Sequence, residues 1–266
     1  MKITVAHSPD ADDAFMFYAL ARGKIDTGGI RFEHTLQDIQ KCNEDALKRK
    51  FDVTAISFAA YPQAAKDYLL MTSGTSMGEK NYGPLLVAKR SIPLEEVARQ
   101  SIAIPGRQTT AALLLKRAFP EAKNLKVYPF DQIMKAVLQN EAEIGLIIHE
   151  GQLTYAKTGL VEIFNFGWWW WEREKLPLPL GGNVIAKGLE PALRKKINRL
   201  LKQSIQYALD HREEALDYAL QFARGLDPEV ADRFVGMYVN ERTLDYGPDG
   251  KMAIEKLLGI KPEFVT

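Results

Sequence analysis

The 266-residue chain has one cysteine, Cys42, four histidines and almost no net charge, with 35 lysines and arginines against 34 aspartates and glutamates. A single thiol excludes an intrachain disulfide and argues against a cysteine-based metal centre. Without a disulfide framework the chain fits a reducing compartment. Balanced charge with no basic stripe argues against nucleic acid as a partner. No apolar run approaches the roughly 18 to 20 residues that span a bilayer, so no membrane partner is expected. The opening MKITVAHSPDADDAF has no apolar stretch of the kind a secretory leader carries, and a cytoplasmic location is expected. A P-loop, a GxGxxG spacing and a nucleophile elbow are all missing, which removes the usual nucleotide and serine-hydrolase readings. What remains is 46% hydrophobic and 26% charged residues, the composition of an ordinary globular protein able to bury a full core.

Hydrophobic periodicity alternates between strand and helix along most of the chain. The pattern predicts strands at Ile3 to Ala6, Ile30 to His34, Val53 to Ser57 and Leu85 to Ala88, with helices over Asp12 to Ala21 and Ile39 to Lys48. Pro93 is suited to opening a short helix. A second alternating set follows: strand Ser101 to Ile104, helix Thr109 to Ala118, strand Leu125 to Tyr128, helix Gln132 to Leu138 and strand Ile144 to His149. Val161 to Phe164 and Val184 to Ala186 read as further strands, and the chain from Pro191 onward reads as helices, with a long one over Leu193 to Leu209. Two such sets imply two α/β lobes. Gly/Pro punctuation near Gly83 to Ser91 and near Pro177 to Gly182 marks two crossings between them. Residues 1–88 and 183–266 would form lobe 1, and residues 89–182 an inserted lobe 2. The expected fold class is therefore α/β, two-lobed and periplasmic-binding-protein-like (type 2), with a cleft between the lobes that closes by a hinge. One continuous sheet without a cleft is the competing arrangement.

Several segments can carry chemistry. Gly145-Leu146-Ile147-Ile148-His149-Glu150 is an apolar run ending in a histidine and a glutamate. Such a run reads as a central strand of a parallel sheet, and ligands sit beyond the carboxyl ends of such strands. His149 is then either a general base at the lip of the cleft or a structural histidine hydrogen-bonded at a strand end. Glu150 fits a helix start better than an orienting role, because neighbouring strand residues face opposite ways. Thr109-Thr110-Ala111 begins a helix after the turn Pro105-Gly106, where free N–H groups suit a carboxylate; plain capping by threonine is the alternative. Ala55-Ile56-Ser57 closes a strand, and Ser57 can offer its hydroxyl to a ligand or cap the next turn. In Ser8-Pro9-Asp10-Ala11-Asp12-Asp13, three carboxylates fit helix capping and the macrodipole better than a hard metal, which needs more oxygen ligands. His7 is expected at the same strand end, and His34 and His211 at the surface. The four tryptophans 168 to 171 cannot all face one core, so one or two are expected at a cleft, an interface or solvent.

Taken together, SPDADDAFMFYAL at 8–20, AISFAAY at 55–61, IPGRQTTAALLL at 104–115, GLIIHEGQLTYAKTGL at 145–160 and WWWEREKLPLPLGG at 169–182 resemble the 1,4-dihydroxy-6-naphthoate synthases of the futalosine route to menaquinone. The resemblance runs through nearly the whole chain in order. It implies a periplasmic-binding-protein-like fold recruited to catalysis, and a cyclic dehypoxanthinyl futalosine substrate cleaved to 1,4-dihydroxy-6-naphthoate, a carbon–carbon lyase reaction. It implies that His149 is the proton acceptor and that Ala55, Ile56, Ser57, Thr110 and Ala111 contact substrate. Many members carry Ser-Pro-Cys-Pro-Asn-Asp near the N-terminus. Ser8, Pro9 and Asp13 match that motif while Asp10 and Asp12 depart from it, which puts in question any contact made by the usual cysteine or asparagine.

On this reading a ring carboxylate sits at Thr109 to Ala111, His149 removes a proton, and aromatisation drives cleavage with no redox cofactor or metal. The expected partner is a small molecule with a ring carboxylate, and a homodimer is left open. Competing readings are a small-carboxylate binding protein, the chorismate-dehydrating enzyme of the same pathway, and a regulator's effector domain; the last lacks a helix-turn-helix partner.

Overall fold

The helix Ala11–Ala21 has the sequence ADDAFMFYALA, apolar on nearly every side, and every residue from Ala11 to Leu20 is buried. A helix apolar all round must be covered all round. It is packed by the helices Pro191–Asp210, Arg212–Leu220 and Pro228–Tyr238. In this computed structural model, residues 1–222 and 227–266 are described. Their strands are β1 (Lys2–His7), β2 (Arg31–Leu36), β3 (Val53–Ser57), β4 (Tyr68–Leu70), β5 (Ser76–Gly78), β6 (Leu85–Ala88), β7 (Ile102–Ile104), β8 (Leu125–Val127), β9 (Ile144–Ile147), β10 (Val161–Asn165) and β11 (Leu178–Ala186).

The chain forms two compact units. The first comprises Met1–Met77 and Pro179–Thr266. Its sheet runs β2-β1-β3-β11-β4, with β5 beside β11. β1 is parallel to β2 and β3, while β11 is antiparallel to β3 and β4. The second unit, Gly78–Leu178, holds a sheet in the order β10-β6-β9-β7-β8. There β9 is parallel to β7 and antiparallel to β6, so the sheet around the apolar run is mixed rather than wholly parallel. One core cluster of this unit joins Leu85, Val87, Ala103, Ile133, Val137 and Ile147.

Residues 78–88, expected with the first lobe, lie in the second unit because β6 pairs with β9 and β10. Residues 179–182, expected in the inserted lobe, lie in the first, because β11 pairs with β3 from Gly181 onward. The Pro/Gly stretch is thus mostly strand. Among the described residues no helix is long and apolar enough to cross a membrane.

Candidate functional site

In the second unit, strands β7 and β9 are parallel neighbours with Ala103 opposite Gly145, so their carboxyl ends reach the same edge of the sheet. Thr109, Thr110, Ala111 and His149 all follow those ends. β9 stops at Ile147, two residues earlier than the apolar pattern predicts. His149 then adopts a left-handed backbone, φ 54°. This turn is closed by Gln152 N–H donating to His149 C=O (3.2 Å) and Leu153 N–H donating to Glu150 C=O (2.9 Å). The turn places Glu150 at the start of the short helix Gly151–Thr154, without a side-chain cap bond. His149 is half-buried, and its Nε2 atom is shielded from solvent. Its imidazole meets the Phe130 ring, with centroids 4.5 Å apart.

Thr109 is the N-cap of the helix Thr110–Ala118. Its hydroxyl donates to Gly106 C=O (2.8 Å) and accepts from Ala112 N–H (3.2 Å). That hydroxyl is therefore committed to capping. The first intrahelical bond runs from Leu113 N–H to Thr109 C=O, 3.2 Å. The N–H groups of Thr110 and Ala111 precede it, and such first-turn donors are the ones a helix offers to an anion.

In the first unit, Ser57 ends β3 opposite Gly181, while Ala55 and Ile56 lie opposite Asn183 and Gly182. Asn43 grips Ser57 twice. Its Oδ1 accepts from Ser57 N–H (2.8 Å), and its Nδ2 donates to Ser57 Oγ (3.0 Å). Asn43 was missed in the sequence, although an asparagine inside a helix is a poor helix former and calls for a reason. At the end of the adjacent β1, the expected capping takes a different form. Asp10 occupies the N-cap position but makes no cap bond to the helix. Instead it accepts from Ser8 Oγ–H. Asp13 reaches back to accept from Ser8 N–H, 2.9 Å. Burial, and then the neighbouring Asp12 carboxylate, push the Asp13 carboxyl well above the usual range. Among the described residues no group of three or more His, Cys, Asp or Glu is arranged to hold a metal ion.

His7 is buried at the end of β1, stacked on Phe17 at 4.3 Å. His34, expected at the surface, is largely covered: His7 Nε2 lies 3.1 Å from His34 Nδ1, and His7 Nδ1 lies 2.8 Å from Ser8 C=O. The carbonyl can only accept, so His7 Nδ1 carries the proton and His34 Nδ1 donates to His7 Nε2. Burial, with His34 beside it, pulls His7 down to about 3, and burial alone pulls His34 down to about 4. His211 is exposed and stacks on Tyr207 at 3.9 Å. Cys42 is buried and its thiol is pushed up to about 12, chiefly by burial, so it holds no reactive thiolate. Of the four tryptophans, Trp170 is buried with its indole N–H on Pro177 C=O (3.0 Å), whereas Trp168 is 51% exposed.

Comparison with known proteins agrees with this architecture. Residues 3–263 match the model of a menaquinone-biosynthesis family. The chain is 38% identical over 255 residues to a 1,4-dihydroxy-6-naphthoate synthase of Thermus thermophilus, covering 96% of this chain and 92% of that one. It is 32% identical over 261 residues to a protein of the same name from Streptomyces coelicolor, covering 96% and 91%. A solved structure of an Archaeoglobus fulgidus protein superposes with a TM-score of 0.92 at 44% identity, covering 97% of this chain and 96% of that one. A Candida albicans protein described as having the generic periplasmic binding protein fold superposes with a TM-score of 0.64 at 15% identity, covering 98% and 91%. The fold is periplasmic-binding-protein-like, and the chain belongs to the menaquinone-biosynthesis family.

Proposed function

We propose that the protein is a 1,4-dihydroxy-6-naphthoate synthase, a lyase that takes cyclic dehypoxanthinyl futalosine, with His149 as general base. The observation that carries this reading is the placement of His149 just past β9, at the sheet edge where the helix Thr110–Ala118 begins. A carboxylate on the substrate ring is held by the N–H groups of Thr110 and Ala111, with Thr109 fixing the helix start. Ala55, Ile56 and Ser57 are further substrate contacts. His149 takes a proton, the electron pair of the broken C–H bond moves into the ring system, and the bond to the sugar-derived fragment breaks as the ring aromatises, the fragment leaving with that bond's electron pair and taking up a proton. This course asks the protein for a base, orientation and exclusion of water, and it requires no redox cofactor or metal. As part of the same reading, the reaction takes place in the cytoplasm.

The test is mass-spectrometric detection of 1,4-dihydroxy-6-naphthoate after mixing the purified protein with cyclic dehypoxanthinyl futalosine. A positioned base contributes about 10²- to 10⁴-fold, so His149→Ala is expected to lose kcat by that order while substrate binding persists. Near-normal turnover by His149→Ala would overturn the assignment of the base. Absence of product from the folded wild type would overturn the activity and favour a small-carboxylate binding protein.

A further inference from the structure

Phe130 lies three residues past the end of β8 and is fixed from several sides. Tyr128 N–H donates to Ile104 C=O of β7 (3.0 Å), tying the segment to the strand that leads into the helix Thr110–Ala118. Pro129 has φ −51°, and Phe130–Gln132 forms a 3-10 turn closed by Gln132 N–H on Pro129 C=O (2.9 Å). Ile133 N–H then donates to Phe130 C=O. The Phe130 side chain packs on the cluster containing Ile133, Val137 and Ile147. Ile147 is the last residue of β9, so the same cluster anchors the strand from which His149 departs. His149 itself has left the strand ladder in a left-handed turn. Its imidazole lies against the Phe130 ring at 4.5 Å between centroids, the planes inclined by 57°.

We infer that Phe130 is a positioning residue for His149. The inference rests on the reading of His149 as the base. A tilted aromatic contact at this spacing is an attractive geometry and restricts rotation of the imidazole. When the base takes its proton, an imidazolium forms beside the Phe130 π-system and is drawn to it as a cation. That attraction is absent while the imidazole is neutral and substrate is merely bound. Phe130 therefore favours the transition state over the ground state, and its loss registers in kcat rather than KM.

The experiment uses the full chain with Phe130→Leu, Phe130→Tyr and His149→Ala. Kinetics are measured on cyclic dehypoxanthinyl futalosine, and the His149 ring protons are followed by NMR, assigned by their loss in His149→Ala. Phe130→Leu is expected to lower kcat roughly 3- to 30-fold with KM changed by no more than about twofold. The His149 ring resonances should move as the ring current disappears. Phe130→Tyr, which keeps the ring, should recover most of the rate and the wild-type resonance positions. If leucine unfolds the segment, Phe130→Met carries the same comparison. Unchanged kcat in the leucine or methionine variant, a tyrosine variant no better than leucine, or unmoved His149 resonances would each overturn the role of Phe130. A fully active His149→Ala would instead overturn the base itself, so the two failures are separable.

Discussion

His149 keeps a φ of 54° although it carries a Cβ. The left-handed region costs an L-residue about 1–2 kcal/mol, a cost glycine does not bear. His149→Gly is therefore expected to be more stable than His149→Ala by about 1 kcal/mol in urea unfolding, while both lose the base. Equal stabilities would mean that the turn relaxes when the imidazole is removed. The residue type at this position was legible in the sequence, but its conformation was not. Ile147-Ile148 continues the strand pattern, and the break is set by turn bonds from Gln152 and Leu153. Phe130 gave no signal either, because an aromatic residue after a proline reads as ordinary core. For Thr109 the sequence leaves ligand binding and helix capping open, and the Gly106 and Ala112 bonds show its hydroxyl in the capping role. The buried pair His7 and His34 makes stability depend on pH. Both are lowered in the folded protein, to about 3 and about 4, from 6.5 in the open chain. The unfolded chain binds more protons between those values, so this contribution is complete above about pH 6.5 and is lost as pH falls toward 4. Asp13, raised by burial, has the opposite sign in the acid range. Comparison with His34→Gln cancels the Asp13 term, since both proteins retain it. The wild type is expected to lose on the order of 2 kcal/mol more than His34→Gln between pH 6.5 and 4. Parallel stability–pH curves would show that His34 is not held neutral.

Packing between elements explains why particular glycines are required. A Cβ on Gly145 would lie 2.8 Å from Ile133 Cγ2 and 2.9 Å from Val137 Cγ2, both on the helix Ile133–Leu138. That helix continues from the turn that carries Phe130. Gly145→Ala is expected to cost about 1–3 kcal/mol of overpacking strain. It should also lower kcat, because moving this helix away from β9 shifts Phe130 relative to His149. A neutral urea midpoint with unchanged kcat would show that the helix and strand slide apart without effect. The longer elements were readable from periodicity: β3 and β6 fall where the pattern places them, and the helices Ile39–Leu47 and Thr110–Ala118 lie within one residue of it. β4 and β5 were not, because three residues hold too little of the period-2 pattern to register. β11 was legible only over its last residues. Its Leu-Pro-Leu-Gly-Gly beginning looks like a loop, yet the glycines are there for close approach: a Cβ on Gly181 would stand 3.0 Å from Ile56 C=O, and one on Gly182 would stand 2.7 Å from Tyr246 Oη.

Across the whole molecule, alternating strand and helix patterns announced two α/β sets, while strand pairing decided where one unit gives way to the other. Periodicity reports which residues are apolar but not which strand lies beside which, so the first boundary falls at Gly78, ahead of the punctuation at Gly83 to Ser91, while the second, between Leu178 and Pro179, lies within the Pro177 to Gly182 stretch. Pairing also makes the second unit a single unbroken stretch, Gly78–Leu178, whereas the first is assembled from two. The ends of that stretch meet: a Cβ built on Gly78 would lie 3.6 Å from Leu178 Cβ. Adjacent termini around a separate core characterise an inserted unit that can close without its host. The unit holds a five-stranded sheet and a buried cluster from Leu85 to Leu160, and at about 100 residues it lies in the size range of independent domains. The excised 78–178 segment is therefore expected to fold alone, with dispersed amide resonances and one cooperative urea transition. It should also retain the Phe130–His149 ring contact, visible as ring-current-shifted histidine protons, because every residue that fixes the contact lies within the segment. The remainder, lacking any covalent path between Met77 and Pro179, should not fold as two separate pieces, since β11 supplies the partner for both β3 and β4. A segment with collapsed amide dispersion and a broad, non-cooperative melt would show that the second unit draws its stability from the rest of the chain.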